Sequence, residues 1–101
     1  MVAGDALRDY ELVLVLSPEV EDEGISSAID RFAQMVTGGG GEIKEVNRWG
    51  RRKLAYPIKR CVEGHYVVAQ LRLQPQQIAG LDASLRLWEE VLRHLLVRVD
   101  Q

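Results

Sequence analysis

A chain of 101 residues, close to half of them apolar, with a formal net charge of -2 fits one domain whose core takes two packed layers, and excludes a disordered segment. Residues 1–6 lack basic side chains and the early apolar run 12–16 is too short for a signal core, while nothing approaches the roughly 20 apolar residues of a membrane span, so no membrane partner is expected. The one cysteine, Cys61, cannot form an internal disulfide and fits a reducing cytoplasm, and the acidic balance leaves any nucleic-acid contact to a local patch or a basic partner.

Residues 1–7 read as a flexible N-terminal tail, ahead of a single domain over 8–101. In 8–16, Tyr10, Leu12, Leu14 and Leu16 alternate with Glu11, Val13 and Val15. The pattern is apolar on both sides for most of its length, which predicts a central strand. Ser17 and Pro18 stop it, and Glu19, Glu21, Asp22 and Glu23 sit where a helix N-terminus favours negative charge. Ile25, Ala28, Ile29, Phe32, Met35 and Val36 recur at helical spacing and predict a helix lying on a sheet. Thr37 and the glycines at 38–41 end it.

A second strand, long and irregular, is expected from Ile43 through Val46 to Ile58. Gly50 marks a bulge or a close backbone approach within it, and Pro57, having no amide donor, confines it to an edge. Residues 60–64 read as a turn. In 65–74, His65, Val67, Ala69, Leu71 and Leu73 alternate cleanly with Tyr66, Val68, Gln70, Arg72 and Gln74, a third strand antiparallel to the second. Pro75 punctuates, Ile78, Leu81 and Leu85 predict a second amphipathic helix, and 86–90 reads as a connector carrying Trp88. The last strand, 91–99, alternates Leu95, Val97 and Val99 with His94, Leu96 and Arg98.

This order predicts an α+β, ferredoxin-like βαββαβ fold: a four-stranded antiparallel sheet with two helices on one face. Right-handed crossovers put strands one and three in the middle. The other face stays open, and Val13, Val15, Tyr66 and Val68 should project from it as partner-protein-binding residues.

Charge is segregated within 48–60, which holds Arg48, Arg51, Arg52, Lys53, Lys59 and Arg60 and no Asp or Glu. Trp49 and Tyr56 lie in the same run. Flat rings among guanidinium groups suit phosphates and unstacked bases, so these eight residues are candidate RNA-binding residues. The bland readings are that edge-strand cations deter aggregation and that hairpin rings pair across strands. Catalysis is not expected. Cys61 and His65 lack a second ligand pair for a metal, His65 and His94 should not meet, and nothing confines the acids at 19–23. The serines sit in no nucleophile motif, and the glycine run lacks the Lys-Ser/Thr of a phosphate loop. Neither a cofactor nor a small-molecule substrate is expected.

Residues 50–59, Gly-Arg-Arg-Lys-Leu-Ala-Tyr-Pro-Ile-Lys, resemble the signature of the bacterial small-subunit ribosomal protein six family. The similarity extends to Arg8-Asp9-Tyr10-Glu11, Leu16-Ser17-Pro18, the glycine run, Gly64-His65-Tyr66, and Val91-Leu92-Arg93 with Val97-Arg98-Val99. The resemblance implies a ferredoxin-like fold, no enzymatic activity and a place in the ribosome. It further implies binding of small-subunit ribosomal RNA together with a basic partner, ribosomal protein eighteen of the same subunit. By position Arg51, Arg52, Lys53 and Tyr56 match the motif, with Arg48 and Trp49 beside it. The alternative is a general RNA-recognition module of the same fold, which wants Lys/Arg-Gly-Phe/Tyr-Gly/Ala-Phe-Val on strand three. This chain has Gly64-His65-Tyr66-Val67-Val68 there.

Overall fold

Alternating apolar residues need a ladder and a cover, and the chain supplies both in turn. The computed structural model describes residues 7–99; of the tail expected over 1–7, all but Leu7 lies outside the described residues. Strand β1 (Arg8–Leu16) leads to helix α1 (Asp22–Gly38), strands β2 (Glu42–Ile58) and β3 (Cys61–Leu73), a short 3-10 turn (Pro75–Gln77), helix α2 (Ile78–Leu87) and strand β4 (Val91–Arg98). The sheet order is β2-β3-β1-β4, every pairing antiparallel. This is the expected ferredoxin-like arrangement, with Pro57 on an edge strand.

The core follows from the two periodicities. Leu12, Leu14 and Leu16 of β1 and Val67, Ala69, Leu71 and Leu73 of β3 turn to the helices, where Ile25, Ala28, Phe32 and Val36 of α1 and Leu81 and Leu85 of α2 meet them. All are buried, each large side chain contributing about 1.5–3 kcal/mol by leaving water. Helix α1 has no side-chain cap at Glu21, but Asp22 and Glu23 sit in its first turn, where they complement the exposed amides. Past its last residue, Gly38, and its C-cap Gly39, the chain turns at Gly40, whose φ of 93 suits glycine, with the Gly41 amide donating to the Val36 carbonyl at 2.9 Å.

Two boundaries differ from expectation. The turn read over 60–64 is confined to Lys59 and Arg60: Ile58 pairs with Cys61, and Gly64 pairs with Arg52 in the ladder. Its two residues adopt φ of 49 and 69, the conformation a two-residue hairpin requires, without the Asn or Gly that signals it. The connector read over 86–90 starts only at Trp88, because α2 continues through Leu87.

Strand β1 pairs with β3 only as far as Leu16 opposite His65. Beyond that point β2 and β3 continue as a two-stranded arm. The molecule is consequently 48 Å long but only 26 by 22 Å across.

Candidate nucleic-acid interface

The register of β2 against β3 sorts the cationic run. Arg48 lies opposite Val67 and Arg51 opposite His65, on the side the helices cover, whereas Arg52 lies opposite Gly64 on the open side. The switch occurs at a register shift between Arg48 and Gly50, with Gly50 at φ 87. Of the two readings of Gly50 this is the bulge and not a close approach, since a Cβ there would meet nothing within 4 Å, and its backbone conformation favours glycine. Around it the Arg52 guanidinium lies over the Trp49 ring, 5.2 Å from its centroid.

Arg48 and Arg51 are engaged within the protein. Arg48 Nη2 donates to Asp22 Oδ1 at the start of α1 at 2.7 Å. Arg51 Nη2 donates to the Pro18 carbonyl at 3.0 Å, and its Nη1 stands 3.5 Å from Glu63 Oε1. These contacts tie the root of the arm to the domain, although exposed ion pairs contribute at most about 1 kcal/mol each. Arg52, Lys53, Lys59 and Arg60 have no carboxylate partner among the described residues. All four are exposed. The run therefore divides into anchors at its root and free cations on the arm.

Between the pairs Lys53 with Glu63 and Ile58 with Cys61, β2 uses the four residues 54–57 against the single residue 62. Pro57 sits in this excursion, where no ladder donor is required. The slack lets Tyr56 reach over the open face, where its Oη accepts a hydrogen bond from Arg93 Nη1 of β4 at 3.0 Å. Leu54, Tyr56, Tyr66 and Arg93 share with Val15 a cleft of about 70 Å³. Tyr56 is thus held at its hydroxyl while its ring stays 57% exposed.

This geometry revises which apolar residues the open face exposes. Val15 and Val68 do lie on the open side, opposite Tyr66 and Val13 respectively, but they are 4% and 5% exposed and offer a partner little surface. Val13 and Tyr66 are partly exposed. The apolar area actually offered comes from β4. Leu95 pairs with Val13 and Val97 with Glu11, which places both on the open face, and they are 48% and 41% exposed. Alternation in 91–99 shows two sets but not which one the helices cover; the register against β1 decides it. The opposite end of the face is polar, with Arg72 Nε 3.3 Å from Asp9 Oδ1 and Gln70 donating to Glu11 at 2.8 Å.

The histidines do not meet. His65 lies on β3 opposite Leu16 and Arg51, while His94 Nε2 is 2.6 Å from Asp82 Oδ1 of α2. That hydrogen bond, reinforced by Arg86 3.0 Å from Asp82 Oδ2, holds the Asp82 carboxyl below the usual carboxylate range. No group of three or more His, Cys, Asp or Glu suited to a metal occurs among the described residues. Nor is any helix among them long and apolar enough to cross a membrane.

Comparison with known proteins accords with this architecture. The sequence model of the family described as "Ribosomal protein S6" matches residues 9–98. The small ribosomal subunit protein bS6 of Desulforudis audaxviator is 43% identical over 94 residues, covering 93% of this chain and all of that one. That of Acidothermus cellulolyticus is also 43% identical over 94 residues, 93% of this chain and 98% of its own. The crystal structure of 30S ribosomal protein S6 from Thermotoga maritima superposes with a TM-score of 0.86 at 31% identity, over 92% of this chain and 88% of that one. The C-terminal domain of the MgtC protein from Mycobacterium tuberculosis shares the fold alone, at 14% identity, a TM-score of 0.64, and 97% and 92% coverage. These relatives in sequence are ribosomal proteins and not enzymes, so the expectation of a non-enzymatic, ribosomal protein of the cytoplasm stands. With the family's sequence model spanning nearly the whole domain, this chain belongs to the ribosomal protein S6 family.

Proposed function

We propose that the chain binds small-subunit ribosomal RNA through the exposed cations and rings of the β2-β3 arm, while the apolar end of the open sheet face docks ribosomal protein eighteen of the same subunit. The observation that carries this reading is the adjacency of two surfaces. Among the described residues Arg52, Lys53, Lys59 and Arg60 have no carboxylate partner, and on the open face Leu95 shares a cleft with Arg93, the residue that holds Tyr56, with Val97 exposed beyond it. Each phosphate neutralised by a free cation releases counterions and adds to a salt-dependent affinity. Trp49, with Arg52 over its ring, and Tyr56, held by Arg93, offer flat surfaces for an unstacked base.

The division of labour follows from charge. Outside 48–60 the chain carries seven Lys and Arg against 15 Asp and Glu, so most of its surface repels a polyanion. Docking beside a basic protein offsets that repulsion. The general RNA-recognition reading is weaker, because on the open face β1 presents Glu11, Val13 and Val15 and β3 presents Tyr66 as its one ring, so the two central strands do not form a platform on which successive bases stack.

The test measures ribosomal RNA binding by this chain alone, by ribosomal protein eighteen alone and by both together. Tight binding is expected only with both proteins present. Strong binding by this chain alone would overturn the shared attachment, and equal binding by the partner with and without this chain would overturn the contact.

A further inference from the structure

We propose that the arm's turn, Lys59 and Arg60, holds a backbone conformation unfavourable to both residues because it presents two adjacent cations to RNA phosphates, so that contact has prevailed over local stability at this point of the fold. The inference rests on the RNA-binding reading above and assigns the tip its own phosphate contact.

Because Ile58 pairs with Cys61, the connection has only two residues, and both have positive φ, 49 at Lys59 and 69 at Arg60. A two-residue hairpin of this geometry favours Asn-Gly, since glycine has no Cβ and asparagine tolerates left-handed backbone through local hydrogen bonds. Lysine and arginine have neither advantage. Elsewhere the chain follows the rule: the other positive-φ positions among the described residues are Gly40 and Gly50. The two exceptions are consecutive, exposed and without a carboxylate partner among the described residues. They stand on the same arm as Arg52 and Lys53. Backbone held in a disfavoured region persists where function requires the side chain it carries. The competing explanation, that tip cations merely keep a hairpin soluble, makes no demand on phosphate affinity.

The experiment uses the full chain with in vitro transcribed small-subunit ribosomal RNA and ribosomal protein eighteen, and reads two quantities. Lys59→Asn with Arg60→Gly should raise the Tm by about 4–8 °C and lower the slope of log affinity against log salt by about 2. Lys59→Gln with Arg60→Gln keeps both Cβ atoms and removes the charge, so it should lower the slope equally and leave the Tm within about 2 °C. A turn replacement that raises no Tm would overturn the backbone argument. An unchanged slope in both turn variants, with a slope lowered by Arg52→Ala and Lys53→Ala, would overturn the tip contact while leaving the RNA-binding reading intact. If none of these variants moved the slope, the RNA-binding reading would fall and this inference with it.

Discussion

The two faces of the sheet carry similar residues to different ends. On the helix-covered face Leu12, Leu14 and Phe32 are fully buried and even arginines serve the fold, Arg48 reaching Asp22 and Arg51 the Pro18 carbonyl. On the open face and the arm, Leu95, Val97 and Trp49 remain exposed and Arg52 lies over a ring. A residue's type does not fix its use; what decides is whether a helix or helix end lies within its reach. Stability and contact are thereby assigned to separable sets of residues, and mutations should affect one without the other.

The largest expected effect lies in the core. Phe32→Ala should cost about 3–5 kcal/mol of stability, read by urea unfolding at constant m-value, and leave the salt slope of RNA-complex formation unchanged at a temperature where the variant is folded. A changed slope would mean that the two sets are not separable. Leu95→Asp with Val97→Asp should do the reverse: affinity for ribosomal protein eighteen falls by about 2 kcal/mol or more, while stability stays within about 0.5–1 kcal/mol because both side chains already meet solvent. A Tm falling as far as that of Phe32→Ala would show these residues to be part of the core.

Arg51 and Arg52 sharpen the comparison because they are adjacent in sequence. Arg52→Ala should lower the salt slope by about 1 with little change in Tm. Arg51→Ala should lower stability by up to about 1 kcal/mol and leave the slope where it is. If both variants move the slope equally, the anchor at the root of the arm releases its arginine when RNA binds.

Much of this was legible in the sequence because it depends on period and punctuation. Period two in β1 and β3, the helical stripe of α1 and the donor-less Pro57 specify the order of elements, the central strands and the edge. The family motif at 50–59 adds the cationic run. What alternation lacks is a sign. In β4, Leu95, Val97 and Val99 form the more apolar set, yet they face away from the helices, because the register against β1 turns His94 and Leu96 inward. The coverage of Val15 was equally hidden, since it depends on the four-residue excursion before Ile58. The turn at Lys59 and Arg60 carries no glycine or asparagine, so composition placed it too late. The pairing of Arg48 with Asp22 spans 26 residues, a distance that local pattern does not cover.

The smallest effect concerns the contact between α2 and the inward side of β4. The hydrogen bond from His94, with Arg86 beside it, holds the Asp82 carboxyl below its ordinary range. A carboxyl that binds its proton less readily in the folded than in the unfolded state contributes stability that is fully present above the unfolded pKa, about 3.9. That contribution is lost as pH falls through the folded value. Asp82→Asn removes this titration, so the Tm gap between the original chain and the variant should narrow as pH falls below the ordinary carboxylate range. A gap that does not narrow would show that Asp82 holds α2 to β4 by shape and not by its charge. The inward turn of His94, and with it the exposure of Leu95 and Val97, would then rest on the ladder to β1 and the packing of Val91 and Leu96.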